Sequence, residues 1–397
     1  MKHSFKFYVT TISLLIIFAQ MAADLYLPAM PVMTKVFQTT MDNIQLTMFC
    51  YTIGYLLGAL YYGPLSDRIG RRKSILISLL ICILGSVVCI TAHSLIQVFI
   101  GRVIQGLGFG GINSMGRTMV KDVSRDLTQM VTAGMYFNMF WALGIALSPC
   151  FGSYILQYFG WQAEFITLLG LGIILFVFCY FILDETNQQR MNTPITKVFA
   201  DYRQILTTPR YVLYAASSAS AYCMLLAYLT YAPHVFMLEL HLNATQFGYT
   251  NLLLASGILC GTFANGLLAR KFKLDRLIGA GAGIILVVGV IYLVCGYLHF
   301  INLLILILPM FCFGFGLLFI LPNTSSCAVA MFKRMAGAAA ATFTFVQMIG
   351  GSCGSMLISL SKENNQLPLG IIFIIFASII CILARILCNS KPYEIQS

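Results

Sequence analysis

The sequence predicts an all-α integral membrane protein of twelve transmembrane helices, arranged as two six-helix bundles. Three observations carry this expectation. Hydrophobic residues make up 59% of the chain and charged residues only 9%, against roughly 25% charged in ordinary globular domains. Twelve apolar stretches approach the roughly 20 residues that a helix needs to cross the hydrocarbon core. With loops assigned alternately to the two sides, all but three of the 24 Lys/Arg fall on one side, the exceptions being Lys35, Lys362 and Arg102. Such asymmetry follows from the retention of positive loops in the cytoplasm, so both termini are expected there. Contact with anionic headgroups of the bilayer accounts for the net charge of +11, and no nucleic-acid partner is expected.

The stretches cover, in chain order, 8–31, 44–65, 75–92, 95–119, 130–157, 163–183, 210–235, 246–268, 277–297, 302–323, 337–360 and 367–388. The first begins after Lys2 and Lys6 and contains Ala22-Ala23, features of a signal peptide. It continues past Asp24, however, and reads as an uncleaved helix. Short loops and the lack of an organelle presequence point to a bacterial inner membrane. Pro28 and Pro31 each remove a backbone donor, so the outer end of span one is expected to bend. Between spans two and three, residues 63–74 read GPLSDRIGRRKS. This is expected to be a short basic loop with a Gly-Pro turn, one carboxylate at Asp67 and four cations, Arg68, Arg71, Arg72 and Lys73.

Span four contains Gly106-Leu-Gly108-Phe-Gly110-Gly111, a formal G-x-G-x-x-G. No strand precedes it, so a dinucleotide site is excluded by context; close helix approach explains the glycines better. In span five, small residues recur at Gly144, Ser148 and Gly152, which makes one flat face, and Pro149 adds a bend. The longest polar interval, 184–209, divides the spans six and six. The expected organisation is therefore an N-terminal bundle over 1–183, a linker over 184–209 and a C-terminal bundle over 210–397, as in parallel internal repeats. Tyr202, Ile205 and Leu206 beside linker cations suggest a short interfacial helix. Gly266-Leu-Leu268-Ala-Arg270-Lys271 after span eight faintly echoes Gly63-Pro-Leu65-Ser-Asp67-Arg68 after span two, without the acid.

The 13 cysteines scatter through the spans with no C-x-x-C pair, which suits packing rather than a disulfide framework. His93, His234, His241 and His299 fall near outer span ends and read as surface residues. None has metal-ligand spacing, so no metal is expected. The absence of H-E-x-x-H, G-x-S-x-G and a credible phosphate loop argues against an enzyme.

Two ionisable groups remain inside the spans, Asp24 in QMAADLYLPAMP and Arg102 in FIGRVIQGLG. Ionisable groups in hydrocarbon are costly and mark function by default. Both count to similar depths in the outer half of the membrane, so an ion pair between them is expected. One reading is a pair that only locks helices one and four together. The other is a proton switch: burial disfavours a charged carboxylate while an adjacent guanidinium favours it, and an arriving substrate alters that balance.

Gly63-x-Leu65-x-Asp67-Arg68-x-Gly70-Arg71-Arg72, Arg102-x-x-Gln105-Gly106-x-Gly108 and Asp24-Leu-Tyr-Leu-Pro28-Ala-Met-Pro31 together resemble the twelve-helix drug:proton antiporters of the major facilitator superfamily, Bcr/CflA group. Gly144, Ser148, Pro149 and Gly152 resemble that superfamily's antiporter motif, with Ser148 replacing its second glycine. The resemblance runs the length of the chain, but its specific motifs lie mainly in the N-terminal half. It implies a major facilitator fold and proton-coupled export of amphipathic drugs or metabolites. Asp24 would be the coupling acid and Arg102 its modulator. Asp67 and Arg71, with Gly63, Arg68 and Gly70 of the same signature, would form a conformational latch together with Asp122. No cofactor is implied, since a proton gradient drives exchange. The partners implied are a small amphipathic substrate, protons and the lipid bilayer around a monomer.

Cavity-face candidates are Gln20, Tyr26, Asn113, Met115, Met135, Tyr136, Asn138, Met139, Trp141, Tyr222, Tyr228, Tyr231, Asn323, Phe343 and Gln347, because Met and aromatic side chains suit adaptable binding. The bland reading of each is packing or lipid contact. Competing functions are a dedicated exporter or importer of one metabolite such as a siderophore, a membrane-bound enzyme, and a sensor or scaffold.

Overall fold

The structure, a computed structural model, describes residues 4–124, 127–187, 195–332, 336–361 and 365–389. Among the described residues there is no strand, and twelve helices are long and apolar enough to cross a membrane. The chain divides into two compact units. One comprises Met1–Thr40 and Leu46–Phe199; the other comprises Met41–Gln45 and Ala200–Ser397.

The first unit begins with α1 (Phe5–Asp24), capped by the Ser4 hydroxyl accepting from the Phe7 amide. α1 ends at the acid itself. A 3-10 turn follows at Leu27–Ala29, and helix resumes as α2 (Met30–Val36). Pro28 has no N–H to offer the Asp24 carbonyl, and Pro31 has none for Leu27, so the regular ladder is interrupted beside the carboxylate. α3 (Met41–Ile69), of which Leu46 onward belongs to this unit, α4 (Arg71–Ile90), α5 (Leu95–Val123), α6 (Leu127–Phe159) and α7 (Trp161–Ile182) provide the remaining spans. Ser94 and Gln97 form a capping box that sets the start of α5.

The basic segment after span two is not the expected loop. α3 runs helically through Gly63, Pro64, Asp67 and Arg68 to Ile69, and one residue, Gly70, separates it from α4. A single proline removes one hydrogen bond, to the Leu60 carbonyl, and the long helix continues around it. Gly70 makes the break because its φ of +101° is open to glycine. Gly63 has no atom within 4 Å of where a Cβ would sit, so no Gly-Pro turn or close contact requires glycine there.

The second unit contains α9 (Pro209–Pro233), α10 (Ala244–Leu268), α11 (Leu274–Tyr297), α12 (Leu303–Ala330), α13 (Ala336–Ser359) and α14 (Leu367–Asn389). The short amphipathic α8 (Ile195–Leu206) precedes them, with Ile205 buried and Leu206 exposed. A π-helical turn, His234–Glu239, extends α9. His234 is buried, stacked on Tyr231 at 5.1 Å and 3.6 Å from Glu239. This corrects the surface reading: the extra turn folds the histidine back against α9.

Glycine decides where helices touch in both units. A Cβ on Gly54 or Gly58 of α3 would overlap the Val103 or Leu107 carbonyl of α5, and one on Gly106 or Gly110 of α5 would overlap the Tyr51 or Tyr55 carbonyl of α3. The same reciprocal seam joins α10 and α12, where Gly257 faces the Phe311 carbonyl and Gly314 the Leu254 carbonyl. Without a hydrophobic force between helices in lipid, backbone approach of this kind is a main source of association. The GxxxG-like runs of span four are therefore packing surfaces.

Candidate functional site

The buried polar centre of the first unit is built where α1 breaks. Asp24 has no solvent exposure. Its Oδ2 accepts from the Gln20 amide at 2.5 Å, one helical turn back, while Oδ1 has no hydrogen-bond partner. Arg102, also fully enclosed, is held from α5. Its Nη1 donates to the Ala22 carbonyl at 2.8 Å and to Gln105 Oε1 at 2.9 Å. The guanidinium lies over the Tyr26 ring at 4.1 Å and the Tyr51 ring at 4.3 Å. Its Nε and Nη2 have no hydrogen-bond partner.

The expected Asp24–Arg102 ion pair is therefore not formed. Two aromatic faces and the last-turn carbonyl of Ala22 take the cation instead, and cation–π contacts of this kind are worth ~2 kcal/mol when desolvated. Both groups keep an unmet polar atom within one packed block. That leaves charge compensation open to change, which a closed ion pair would not.

The block is braced from all sides. The Tyr26 hydroxyl shares a hydrogen bond with Thr47 Oγ1 at 3.0 Å, and Tyr51 donates to the Ala19 carbonyl at 3.2 Å. Gln105 donates to the Ser86 hydroxyl at 2.9 Å, tying in α4. The small-residue face of α6 backs α1 directly. A Cβ on Gly152 would overlap the Leu25 carbonyl, and one on Gly144 would press the Gln20 side chain at 2.7 Å. Ser148, buried between them, returns its hydroxyl to the Gly144 carbonyl at 2.5 Å, and Pro149 is also buried within α6. The α6 glycines thus set the position of the acid-bearing turn.

At the other end of α3, Arg71 brings the expected acids together. It meets Asp67 Oδ1 at 2.6 Å and Asp122 Oδ2 at 3.1 Å. Arg68 points outward and is exposed. The structure adds a residue the motif does not contain. Glu185, just past α7, accepts from the Arg71 amide at 2.8 Å and the Arg72 amide at 3.2 Å, capping α4 where Gly70 supplies no side chain. A Cβ at Gly70 would collide with that carboxylate. Thr186 reaches Asp122 at 3.4 Å and Asn187 reaches the Asp67 carbonyl at 3.2 Å. The sequence signal was only the polar run DETN after span six.

Removing Glu185 leaves two helix-start amides unmet, which costs about 1–2 kcal/mol at a strong cap. Glu185→Ala should lower the melting temperature of the purified protein, and Glu185→Gln, which keeps one acceptor, should lower it less. Equal melting of wild type and Glu185→Ala would count against a capping role.

The cavity-face candidates separate by environment. Gln20 and Tyr26 belong to the polar centre. Asn113 donates to the Tyr55 hydroxyl, and Met115 is fully buried. Tyr136 and Met139 are exposed on α6, and Trp141 is half-buried; Met135 and Asn138 lie outside the residues whose side chains are described. In the second unit, the Tyr228 hydroxyl meets Met310 Sδ at 2.9 Å and Tyr231 donates to the Asn365 carbonyl at 3.2 Å. Asn323 and Asn265 exchange amide hydrogen bonds at 2.8 and 3.3 Å, tying α12 to α10. Phe343 is buried against Tyr211, Gln347 donates to Ser218 at 3.0 Å, and Tyr222 is half-buried. Tyr228, Tyr231, Asn323 and Phe343 are thus enclosed within their own unit.

The family model of the Major Facilitator Superfamily matches residues 12–355. Multidrug resistance protein D of Escherichia coli (strain K12) is 25% identical over 371 residues, covering 92% of both chains. The chloramphenicol resistance protein of Pseudomonas aeruginosa is 26% identical over 373 residues, covering 91% of this chain and 86% of that protein. The crystal structure of a D-xylose-proton symporter superposes with a TM-score of 0.78 at 14% identity, covering 95% of this chain and 97% of that one. At that identity the likeness concerns the fold.

Proposed function

The chain belongs to the Major Facilitator Superfamily of membrane transporters, and on that premise we propose that it exports small amphipathic drugs or metabolites in exchange for protons. The observation that carries the proposal is the enclosed Asp24 carboxyl with one unmet oxygen near an arginine that makes no ion pair with it. A proton meets that oxygen when the substrate is absent. A bound amphipath, particularly a cationic one, changes the local charge and lets the proton leave. A proton moving down a pH gradient contributes about 1.4 kcal/mol per pH unit, a tenfold concentration ratio, and the membrane potential adds about 2.3 kcal/mol per 100 mV for each net charge moved, as when the compound exchanged for the proton is uncharged.

Two further observations support export. The small-residue face of α6 packs on the turn that bears Asp24, and the relatives named above are resistance proteins. The Asp67–Arg71–Asp122 cluster acts as a conformational latch at the positively charged end. Lys/Arg placement sets that end, and both termini, on the cytoplasmic side of a bacterial inner membrane.

The test is the purified protein in proteoliposomes with an imposed pH gradient, a pH dye inside and a panel of cationic, zwitterionic and neutral amphipaths. The expected result is compound-dependent proton flux opposite in direction to compound flux. Flux in the same direction would make the chain a symporter, and compound movement indifferent to the gradient would remove proton coupling.

A further inference from the structure

We infer that Glu164 is a second proton-binding group of the first unit, so that a proton is carried on this carboxyl as well as on Asp24. Glu164 lies in the first turn of α7, has no solvent exposure, and neither of its carboxyl oxygens has a hydrogen-bond partner. Among the described residues it enters no ion pair. A carboxylate there would have lost its hydration without replacement, which strongly disfavours the charged form. The one favourable field is the start of α7, and a helix N-terminus compensates only a small part of the lost hydration of a buried ion. Desolvation wins, and the site requires a cationic ligand. No group of three His, Cys, Asp or Glu that could hold a metal occurs among the described residues. A proton, which needs only the oxygen itself, is the ligand this site fits.

The first turn of α7, which carries Glu164, meets the polar centre through one aromatic contact. Phe165, the next residue, packs its ring 6.0 Å from that of Tyr26, whose face lies under the Arg102 guanidinium. Trp161 closes the other side of Phe165 at 6.1 Å. Within this block one guanidinium can balance one carboxylate. A second carboxylate needs another positive charge, so the second proton leaves only together with that of Asp24, when a cationic amphipath arrives at the Asp24 centre. The step is loss of a proton from the carboxyl oxygen to water and requires no other reactant. The proton site stands on the geometry of Glu164 alone; its part in transport rests on the antiporter reading.

Two measurements on the full-length protein in detergent test this. Infrared difference spectra over a pH titration, without substrate, follow the C=O stretch of neutral carboxylic acids. Glu164→Gln should lose one pH-responsive component, and adding Asp24→Asn should lose a second. Proton release on adding tetraphenylphosphonium should fall about twofold in Glu164→Gln, one proton in place of two. Superimposable wild-type and Glu164→Gln spectra would overturn the inference. So would a band that is lost in the variant but in wild type never responds to pH or to the probe, since that proton never leaves. Should Glu164→Gln not fold, Glu164→Met keeps the length without needing a partner and is judged by the same band. Wild type that releases no proton to the probe would count against the antiporter reading, while the spectra still decide the proton site.

Discussion

Asp24→Asn should reduce gradient-driven compound movement in proteoliposomes to the level of protein-free vesicles. The amide has the same shape, and its oxygen can still accept from Gln20, whose bond to Asp24 measures 2.5 Å. The enclosed turn between α1 and α2 should therefore persist, and binding of an uncharged amphipath with it. What is lost is the exchangeable proton, and with it the ~1.4 kcal/mol per pH unit that coupling to the gradient provides. Compound should then only equilibrate, with no tenfold or greater accumulation ratio. The comparison is uptake with and without a pH gradient, alongside equilibrium binding to the same purified variant. Uphill movement by Asp24→Asn, driven by the gradient as in wild type, would falsify the assignment of the coupling proton to this residue.

The second large effect is mechanical. Gly152→Leu places a side chain into the Leu25 carbonyl, the residue after Asp24. Backbone cannot rotate away as a side chain can, so α1 and α6 must separate. Overpacking of this kind costs typically about 1–3 kcal/mol and occasionally more. Gly152→Leu should melt well below wild type and lose proton-driven transport even where Asp24 is intact. Gly266→Leu is the control, because nothing lies within 4 Å of a Cβ at that glycine. Gly144→Ala should be intermediate, since its neighbour is the movable Gln20 side chain. Equal melting of the Gly152 and Gly266 variants would show that the α1–α6 contact is not tight.

Much of this was legible beforehand, for identifiable reasons. Asp24 and Arg102 stand out because a charge inside an apolar run is visible at any resolution of reading. The α6 face was visible because small residues every fourth position share one side of a helix. Asp67, Arg71 and Asp122 were joined by resemblance, and the structure brings them within hydrogen-bonding distance. Other features left no usable signal. Glu185 caps α4 from 114 residues away, a separation no local pattern bridges. Glu164 occupies the first turn of its span, where an acid ordinarily reads as an interfacial residue beside water. Its enclosure depends on the neighbours packed over it.

The absent Asp24–Arg102 pair shows the same division. Depth along two helices can be counted from sequence, but rotation about each axis cannot. The break after Asp24 and the seat of Arg102 between Tyr26 and Tyr51 turn the two groups to different partners. In the basic segment the reason is local: Gly63-Pro64 reads as a turn, yet α3 continues through it.

By itself the amino-acid sequence determined that this chain lives in a bilayer, how many times it can cross, and which ends carry the positive charge. Those properties add along the chain, since each residue contributes its own transfer free energy. The tertiary structure alone decided which buried polar atoms are satisfied and which remain open. That outcome turns on ångström distances between helices, set where Gly54, Gly106 and Gly152 let backbones meet, and such distances do not add residue by residue.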